Sequence, residues 1–534
     1  MPPTDEQSQK KCVLAIDLGS GGPKVALIDI DGHVVASQSA ETHIYLLPNE
    51  GAEQDPHEWW SKVVDCAKKV LSQATEAGIT AGNIVAVACT GQYSVIVPVD
   101  EHGDPLMNAV HWTDTRGAPY NKALVQGPPE VQGMNVGKLL KWIKKVGFPP
   151  TLSGVDALGH ILFIKNERPE VYRKTYKFLE PTDYLNLRLT GRCAATLNTL
   201  FPYGLTDNRN LNSNDYDREL VDISGIDKAK LPDILPVDGV VGTLTPSVAD
   251  ELGLSPNTVV LTGANDNSTS AVGSGAVEDF ETCATLGTSG YLGCHVPFKK
   301  TDLIHFISTM ASSLPERYLI FADMGSTAGR VIESFLNNMI YSEDEFCREG
   351  PPADKYERLN MTAGSVEPGS NGLLFLPWFK GTLCPTEDPL MRGGFLNISH
   401  GTTRAHLTRA VMEGIAMNYR WLHDPAEKFI GRPMDHWRLS GGGALSDVWV
   451  QIMADVVGIP MHQLANPRLV NVSGAAFLAF NHLGLLPLKE IPSRVQISRI
   501  VMPREEYRLM YEKLFQQYLA CFRQLKPVFH ALNK

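Results

Sequence analysis

The 534-residue chain contains no run of 18 apolar residues, which argues against a membrane-spanning helix. Its first residues, Met1-Pro2-Pro3-Thr4-Asp5-Glu6, lack the basic-then-apolar order of a signal peptide. There is no CxxC pair and no HExxH motif, so a zinc site has no support. The nine cysteines (Cys12, Cys66, Cys89, Cys193, Cys283, Cys294, Cys347, Cys384 and Cys521) are odd in number and scattered through apolar runs. Free thiols in a reducing cytoplasm fit that pattern better than a disulfide framework. Basic charge is also short: 48 Lys and Arg stand against 59 Asp and Glu, a net charge of −11. A wide nucleic-acid footprint needs the opposite balance. The expectation is a cytoplasmic protein without nucleic-acid or membrane partners. Local phosphate binding remains open to it, through backbone N–H groups and Mg²⁺.

Hydrophobic residues make up 43% and charged residues 20% of the chain, an ordinary globular mixture that can bury a large core. The length fits three to four ordinary domains or two large ones.

Residues 1–10 read as a disordered tail. Val13-Leu14-Ala15-Ile16 is a continuous apolar run of the kind a buried strand shows. Asp17-Leu18-Gly19-Ser20-Gly21-Gly22 turns the chain, and Lys24 to Asp29 forms a return strand. Val34 to Ser37 adds a third. Pro56 to Leu71 carries Trp59, Val63, Cys66, Ala67 and Val70 at helical spacing. Ile84 to Ala88 is the next strand, running into Thr90-Gly91-Gln92-Tyr93, and Ser94 to Val99 reads as another. Strands alternating with helices indicate an α/β fold. The opening then returns: Thr285-Leu286-Gly287-Thr288-Ser289-Gly290 lies over Asp17 to Gly22, 268 residues later and about half the chain length away. Two such hairpins point to a duplicated fold with two lobes and a ligand cleft between them. Divided this way, residues 11–275 form an N-terminal lobe and 276–490 a C-terminal lobe. Residues 491–534 hold an amphipathic packing helix at about Arg504 to Leu525, and Ser473 to Leu483 is the last apolar helix of the second lobe.

Four segments carry chemistry. The two glycine-rich turns let backbone amides approach an anion closely, and Ser20 and Thr288 add hydroxyl donors. Asp17 beside such a turn repels phosphate unless a cation such as Mg²⁺ intervenes, although an Asp can also cap its own turn. Asp266, in Gly263-Ala264-Asn265-Asp266-Asn267-Ser268, follows the apolar strand Val259-Val260-Leu261. It is placed either to take a proton from an attacking hydroxyl or to cap the next helix. Arg438 to Ser446 ends a strand in Gly441-Gly442-Gly443, leaving a flat backbone for a planar base or simply a tight strand–helix turn. In His111-Trp112-Thr113-Asp114-Thr115-Arg116, Trp112 offers an apolar face and Asp114 a hydroxyl partner; a buried Trp beside an ion pair is the other reading.

The order of these motifs resembles the FGGY family of carbohydrate kinases, within the sugar kinase/Hsp70/actin superfamily, over about residues 11–490. Ile16 to Gly22 and Leu286 to Gly290 are similar to that family's two phosphate motifs. Gly263 to Asn267 resembles the loop of its catalytic Asp. Arg438 to Ala444 resembles its adenosine motif in the form usual for xylulokinases, and Pro181-Thr182-Asp183-Tyr184-Leu185 to Gly191 resembles another landmark. The chain departs from the family in three places. His160 and Phe163 stand where the first signature has Lys and Trp, and Asn397 replaces a usual glycine of the second. Tyr93-Ser94 follow Gly91-Gln92 where xylulokinases carry Met-His and glycerol kinases Arg-Glu.

The resemblance implies two actin-like (ribonuclease H-like) α/β lobes around a central cleft that closes on the sugar, and a homodimer. It implies an ATP- and Mg²⁺-dependent kinase for a pentulose, D-xylulose foremost. Another ketose or polyol (ribulose, erythritol, glycerol) is the alternative, and an actin- or Hsp70-like ATPase or an inactive regulator is the different class. It makes Asp266 the catalytic base, with Gln92, Tyr93, Trp112, Asp114 and Asn267 on the substrate. Ser20, Gly287, Thr288, Gly329, Gly442, Gly443 and Ser446 are expected on the nucleotide, and Asp17 on the metal.

Overall fold

The computed structural model describes residues 10–345 and 348–533. Cys347 and the expected N-terminal tail, except Lys10, lie outside the described residues.

The first sheet grows from the opening hairpin. β1 (Cys12–Gly19) and β2 (Gly22–Asp29) are antiparallel, with Asp17 opposite Lys24 and Gly19 opposite Gly22. β3 (Val34–Ser39) continues antiparallel beyond β2. After α1 (Pro56–Glu76), β4 (Ile84–Gly91) joins the other side of β1 in parallel. β5 (Val240–Thr243) and β6 (Val259–Leu261) complete the order β5-β6-β4-β1-β2-β3.

Cys12 to Leu18 are buried without a break, as a central strand covered on both faces requires. The pleat then sorts them. Cys12, Leu14, Ile16 and Leu18 pack with Trp59, Val63, Cys66, Ala67 and Val70 of α1, the residues whose spacing predicts that helix. Val13 and Ala15 face the opposite layer.

α2 (Asp266–Gly273) leads into the second sheet. β7 (Thr282–Leu286) and β8 (Gly290–Val296) form the second hairpin. β9 (Ile307–Ala311) and β10 (Tyr318–Asp323) follow, then α3 (Gly329–Phe335), the long α4 (Arg404–Ile430), β11 (Trp437–Ser440), α5 (Asp447–Val457), β12 (Met461–Leu464), α6 (Val470–His482) and β13 (Ile497–Val501). The order β9-β10-β8-β7-β11-β12-β13 contains the first sheet's pattern again. From β10 to β13 the pairings run antiparallel, antiparallel, parallel, parallel, antiparallel, as they do from β3 to β5. The repeat expected from two glycine turns is therefore a repeat of whole-sheet topology, as in actin-like folds.

Three expectations change. α6 lies between β12 and β13 of the second sheet in sequence, yet it packs on the first sheet, where Val472, Ala475, Ala476 and Phe480 meet Val13, Ala15, Ala26 and Ala88. Conversely, α2 touches β7 and β8. The two helices cross where a Cβ on Gly474 would stand 1.9 Å from the Thr269 carbonyl oxygen and one on Gly273 1.9 Å from that of Val470. Only glycine allows backbones this close. Within residues 491–534, Ile497–Val501 is a strand of the second sheet, and the terminal helix α7 runs Arg508–Leu532, later than the apolar pattern indicates. The expected strand Ser94 to Val99 shortens to Val97–Val99. Among the described residues no helix is long and apolar enough to cross a membrane.

Candidate active site

A cleft of about 2310 Å³ runs between the two hairpin turns. Every site residue expected from the sequence lines it except Asp114.

On the first lobe the turn residue Ser20 joins a closed chain of side chains. Trp112 Nε1 donates to Ser20 Oγ at 2.8 Å, and Ser20 Oγ donates to Gln92 Oε1 at 2.8 Å. Gln92 Nε2 then donates to Gln54 Oε1 at 2.8 Å, and Gln54 Nε2 returns to the Ser20 carbonyl at 3.0 Å. The Ser20 hydroxyl is thus committed to Gln92, which it orients; a phosphate would meet the backbone of this turn. Tyr93 follows Gln92 at the end of β4. Its hydroxyl accepts from Asn267 Nδ2 at 2.9 Å, so two expected substrate residues form one wall.

Asp114 corrects the expectation. It is fully buried, accepting from Ala52 N at 2.8 Å and from the backbone and guanidinium of Arg116. Arg116 also reaches Glu53 at 2.8 Å. This is the buried ion pair beside a Trp, and it holds the Trp112 loop. The two departures from the first family signature serve the same loop: His160 Nε2 contacts the Asp114 carbonyl at 3.1 Å, and the Phe163 ring lies 4.3 Å from the Arg116 guanidinium.

Asp17 ends the buried run of β1. Its Oδ2 accepts from Lys24 Nζ at 3.2 Å and from Asn471 Nδ2 at 3.4 Å, while Oδ1 is buried without a partner. It does not cap its own turn. Asp266 does not cap its helix either, because Asn265 takes that role, accepting from Ser268 N at 3.0 Å. The Ala264–Asn265 pair hydrogen-bonds in register with Thr90–Gly91 of β4, which delivers Asp266 to the cleft as the first residue of α2. Its Oδ1 is buried and unpartnered. Burial, and then the nearby Asp17 charge, push the Asp266 carboxyl up to about 7, against the pull of the Asn267 N–H and Lys24.

On the second lobe, Gly287-Thr288-Ser289 make the turn between β7 and β8. The start of α3 closes over it: Gly329 N donates to the Gly287 carbonyl at 2.8 Å and Arg330 N to that of Thr288 at 3.0 Å. A side chain at Gly329 would meet the Gly287 carbonyl oxygen at 2.5 Å. β11 ends at Ser440, and Gly442–Leu445 form one turn of 3₁₀ helix. Ser446 caps α5, accepting from Trp449 N at 3.1 Å and donating to Asn360 at 2.6 Å. The adenosine-like segment is therefore a flat-walled turn braced from beneath by Trp449.

Lys24, Asp323, Asn471 and Arg468 also line the cleft and were missed from sequence. Lys24 was legible in the hairpin register opposite Asp17. Asp323 carries the same signal as Asp17 and Asp266, a carboxylate ending an apolar strand. Asn471 and Arg468 have no local signal.

The profile described as "FGGY family of carbohydrate kinases, N-terminal domain" matches residues 12–273, and its C-terminal counterpart matches residues 283–482. A xylulose kinase of Staphylococcus epidermidis is 29% identical over 526 residues, covering 97% of this chain and 98% of that protein. A gluconokinase of Bacillus subtilis is 27% identical over 445 residues, covering 83% of this chain and 82% of its own. The crystal structure of ligand-bound xylulose kinase from Lactobacillus acidophilus superposes with a TM-score of 0.81 at 24% identity, covering 98% of this chain and 100% of that one.

Proposed function

The chain belongs to the FGGY family of carbohydrate kinases, and from that premise we propose that it transfers the γ-phosphoryl group of ATP to a hydroxyl of a pentulose, foremost D-xylulose to D-xylulose 5-phosphate. The observation that carries this reading is Asp266. It is a carboxylate with one unpartnered oxygen at a strand end, near neutrality in its titration, in the cleft between the two glycine turns. A general base for a sugar hydroxyl needs those properties.

In this reading the sugar lies against Tyr93, Asn267 and Trp112, with its reacting hydroxyl at Asp266. Its oxygen bonds to the γ-phosphorus, its proton passes to the Asp266 carboxylate, and the bond from the γ-phosphorus to the bridging oxygen breaks to release ADP. The Gly287–Ser289 turn and Gly329 frame the phosphates, and Gly442, Gly443 and Ser446 the nucleoside. The residues present suit a hard cation: Asp17 offers a buried carboxylate oxygen without a partner beside the first turn. Mg²⁺ held there would neutralise phosphate charge as the transfer proceeds. Closure of the lobes would exclude water and limit futile hydrolysis.

The xylulose assignment rests on relatives such as that of Staphylococcus epidermidis, and a relative named gluconokinase keeps a sugar acid in the test. ADP release with Mg·ATP across D-xylulose, D- and L-ribulose, L-xylulose, erythritol, glycerol and D-gluconate decides between them. Turnover led by D-xylulose is expected. Sugar-independent hydrolysis alone would move the assignment to an ATPase.

The titration of Asp266 adds a pH signature. As the base it must be ionised, so activity is lost as pH falls through its pKa. The quantity kcat/KM for Mg·ATP reports the enzyme before nucleotide binds. It should rise about tenfold per pH unit up to a midpoint near the value of about 7 held by Asp266, then level. The acid limb of kcat should lie lower, because a cation held at Asp17 would offset the charge that, after burial, raises Asp266. Coincident limbs below pH 5 would remove this coupling.

A further inference from the structure

One carboxylate in the cleft has no place in the mechanism above. Asp323 ends β10, directly after the apolar run Tyr318 to Ala322, and lines the cleft from the second lobe. Gly325 N donates to its Oδ1 at 2.7 Å, and Oδ2 has no partner among the described residues. No cation offsets its charge: burial pushes its carboxyl up to about 6, and only the Gly325 N–H opposes that. It forms no ion pair among the described residues, unlike Asp114 with Arg116 or Asp388 with Lys526.

Its position is on the sugar side. Phe321, two residues earlier on the same face of β10, meets the Tyr93 ring edge-on, with centroids 6.4 Å apart. The Asp323 and Asp266 carboxylates both help push the buried Tyr93 hydroxyl upward in its titration, after burial itself. Asp323 therefore lines the cleft on the face of β10 that meets Tyr93, close enough for its charge to act on Tyr93 and Asp266. A carboxylate with a free acceptor oxygen and no counter-cation is stabilised by an O–H donor and destabilised by another anion.

We propose that Asp323 is a specificity-determining substrate contact supplied by the second lobe, whose carboxylate accepts a hydroxyl of a neutral sugar or polyol and repels a sugar acid. This rests on the sugar-kinase reading and narrows it. The neighbouring Asp17 and Asp266 strengthen the exclusion, since an acidic substrate would add a further negative charge to the same cleft.

The test uses the full-length protein, Mg·ATP, the neutral sugar with the fastest turnover in the panel, and D-gluconate. Asp323→Asn keeps the shape and removes the charge. It is expected to lower kcat/KM for the neutral sugar by about 10- to 100-fold, the worth of a hydrogen bond to a charged group, mainly through KM. It should raise the gluconate-to-sugar ratio of kcat/KM by at least about 10-fold while the KM for ATP stays unchanged, which a loss of folding would not do. An unchanged ratio overturns the inference. Should this variant fail to fold, competition in the wild type decides. Gluconate that inhibits as tightly as the neutral sugar binds overturns the proposal, and gluconate at least about 10-fold weaker supports it. Turnover of another neutral polyol in place of every pentulose overturns the pentulose reading and leaves the role of Asp323 to be tested on that polyol.

Discussion

Asp266→Asn is expected to lower kcat by about 10²- to 10⁴-fold, the contribution of a general base, while Mg·ATP binds with unchanged affinity. The separation follows from the architecture. Asp266 stands on α2 at the end of the first sheet, whereas the turns proposed to frame the nucleotide belong to the second. The substitution is nearly isosteric, and the cap of α2 is untouched because Asn265 supplies it. Single-turnover phosphoryl transfer and titration calorimetry with ATP read the two quantities apart. A kcat like that of the wild type would remove Asp266 as the base, and a parallel loss of ATP affinity would place it in the nucleotide site.

Glu413→Ala is expected to destabilise the fold by about 3–5 kcal/mol, the usual cost of breaking a buried ion pair from one side. Both partners are nearly inaccessible: the Arg409 and Glu413 side chains are 5% and 2% exposed. Glu413 Oε1 accepts from Arg409 Nε, Tyr511 OH and Gly369 N, each at 2.8 Å, and Oε2 from Ser370 Oγ at 2.8 Å. Truncation would strand a guanidinium and three further donors in the core. Because Tyr511 lies on α7, the same change would loosen the terminal helix from the second lobe. The urea midpoint measures the loss. The double variant Arg409→Met/Glu413→Leu, which leaves no unpaired charge, should recover much of it. A single variant within about 1 kcal/mol of the wild type would show that water reaches this network.

Glu413 closes Gly393 to Glu413, the segment that resembles the family's second signature, and the departure inside it at Asn397 has a backbone reason. Asn397 sits at φ +67, and its side chain donates to the Gly372 carbonyl at 3.0 Å. Left-handed backbone is where glycine is favoured and where asparagine is the readiest substitute. The position holds a backbone that suits glycine although its residue is asparagine.

Much of the fold was legible because its signals are local. The apolar run Val13-Leu14-Ala15-Ile16 names a central strand, period-3.6 apolar residues name α1, and glycine turns name both hairpins. Asp17 and Asp266 stood out by ending such runs beside those turns. Asp323 also ends an apolar run, but the glycines after it, Gly325 and Gly329, are too widely spaced to read as a hairpin turn like the other two.

Asp114 misled for a related reason. An Asp two residues from a Trp looks the same in sequence whether it faces a ligand or an arginine. Glu53 and the Ala52 N–H, some 60 residues away, settle which.

The amino-acid sequence by itself therefore determined the elements, the duplication and the chemical types gathered at the cleft, since these follow from side-chain period and turn chemistry within a few residues. Tertiary structure alone decided the partners. It swapped α6 onto the first sheet, crossing α2 at two glycines, and so brought Asn471 to Asp17 across 454 residues of chain. It also set Phe321, two residues before Asp323 on β10, against the Tyr93 ring. Such pairings depend on which faces bury each other best, and no local pattern encodes that choice.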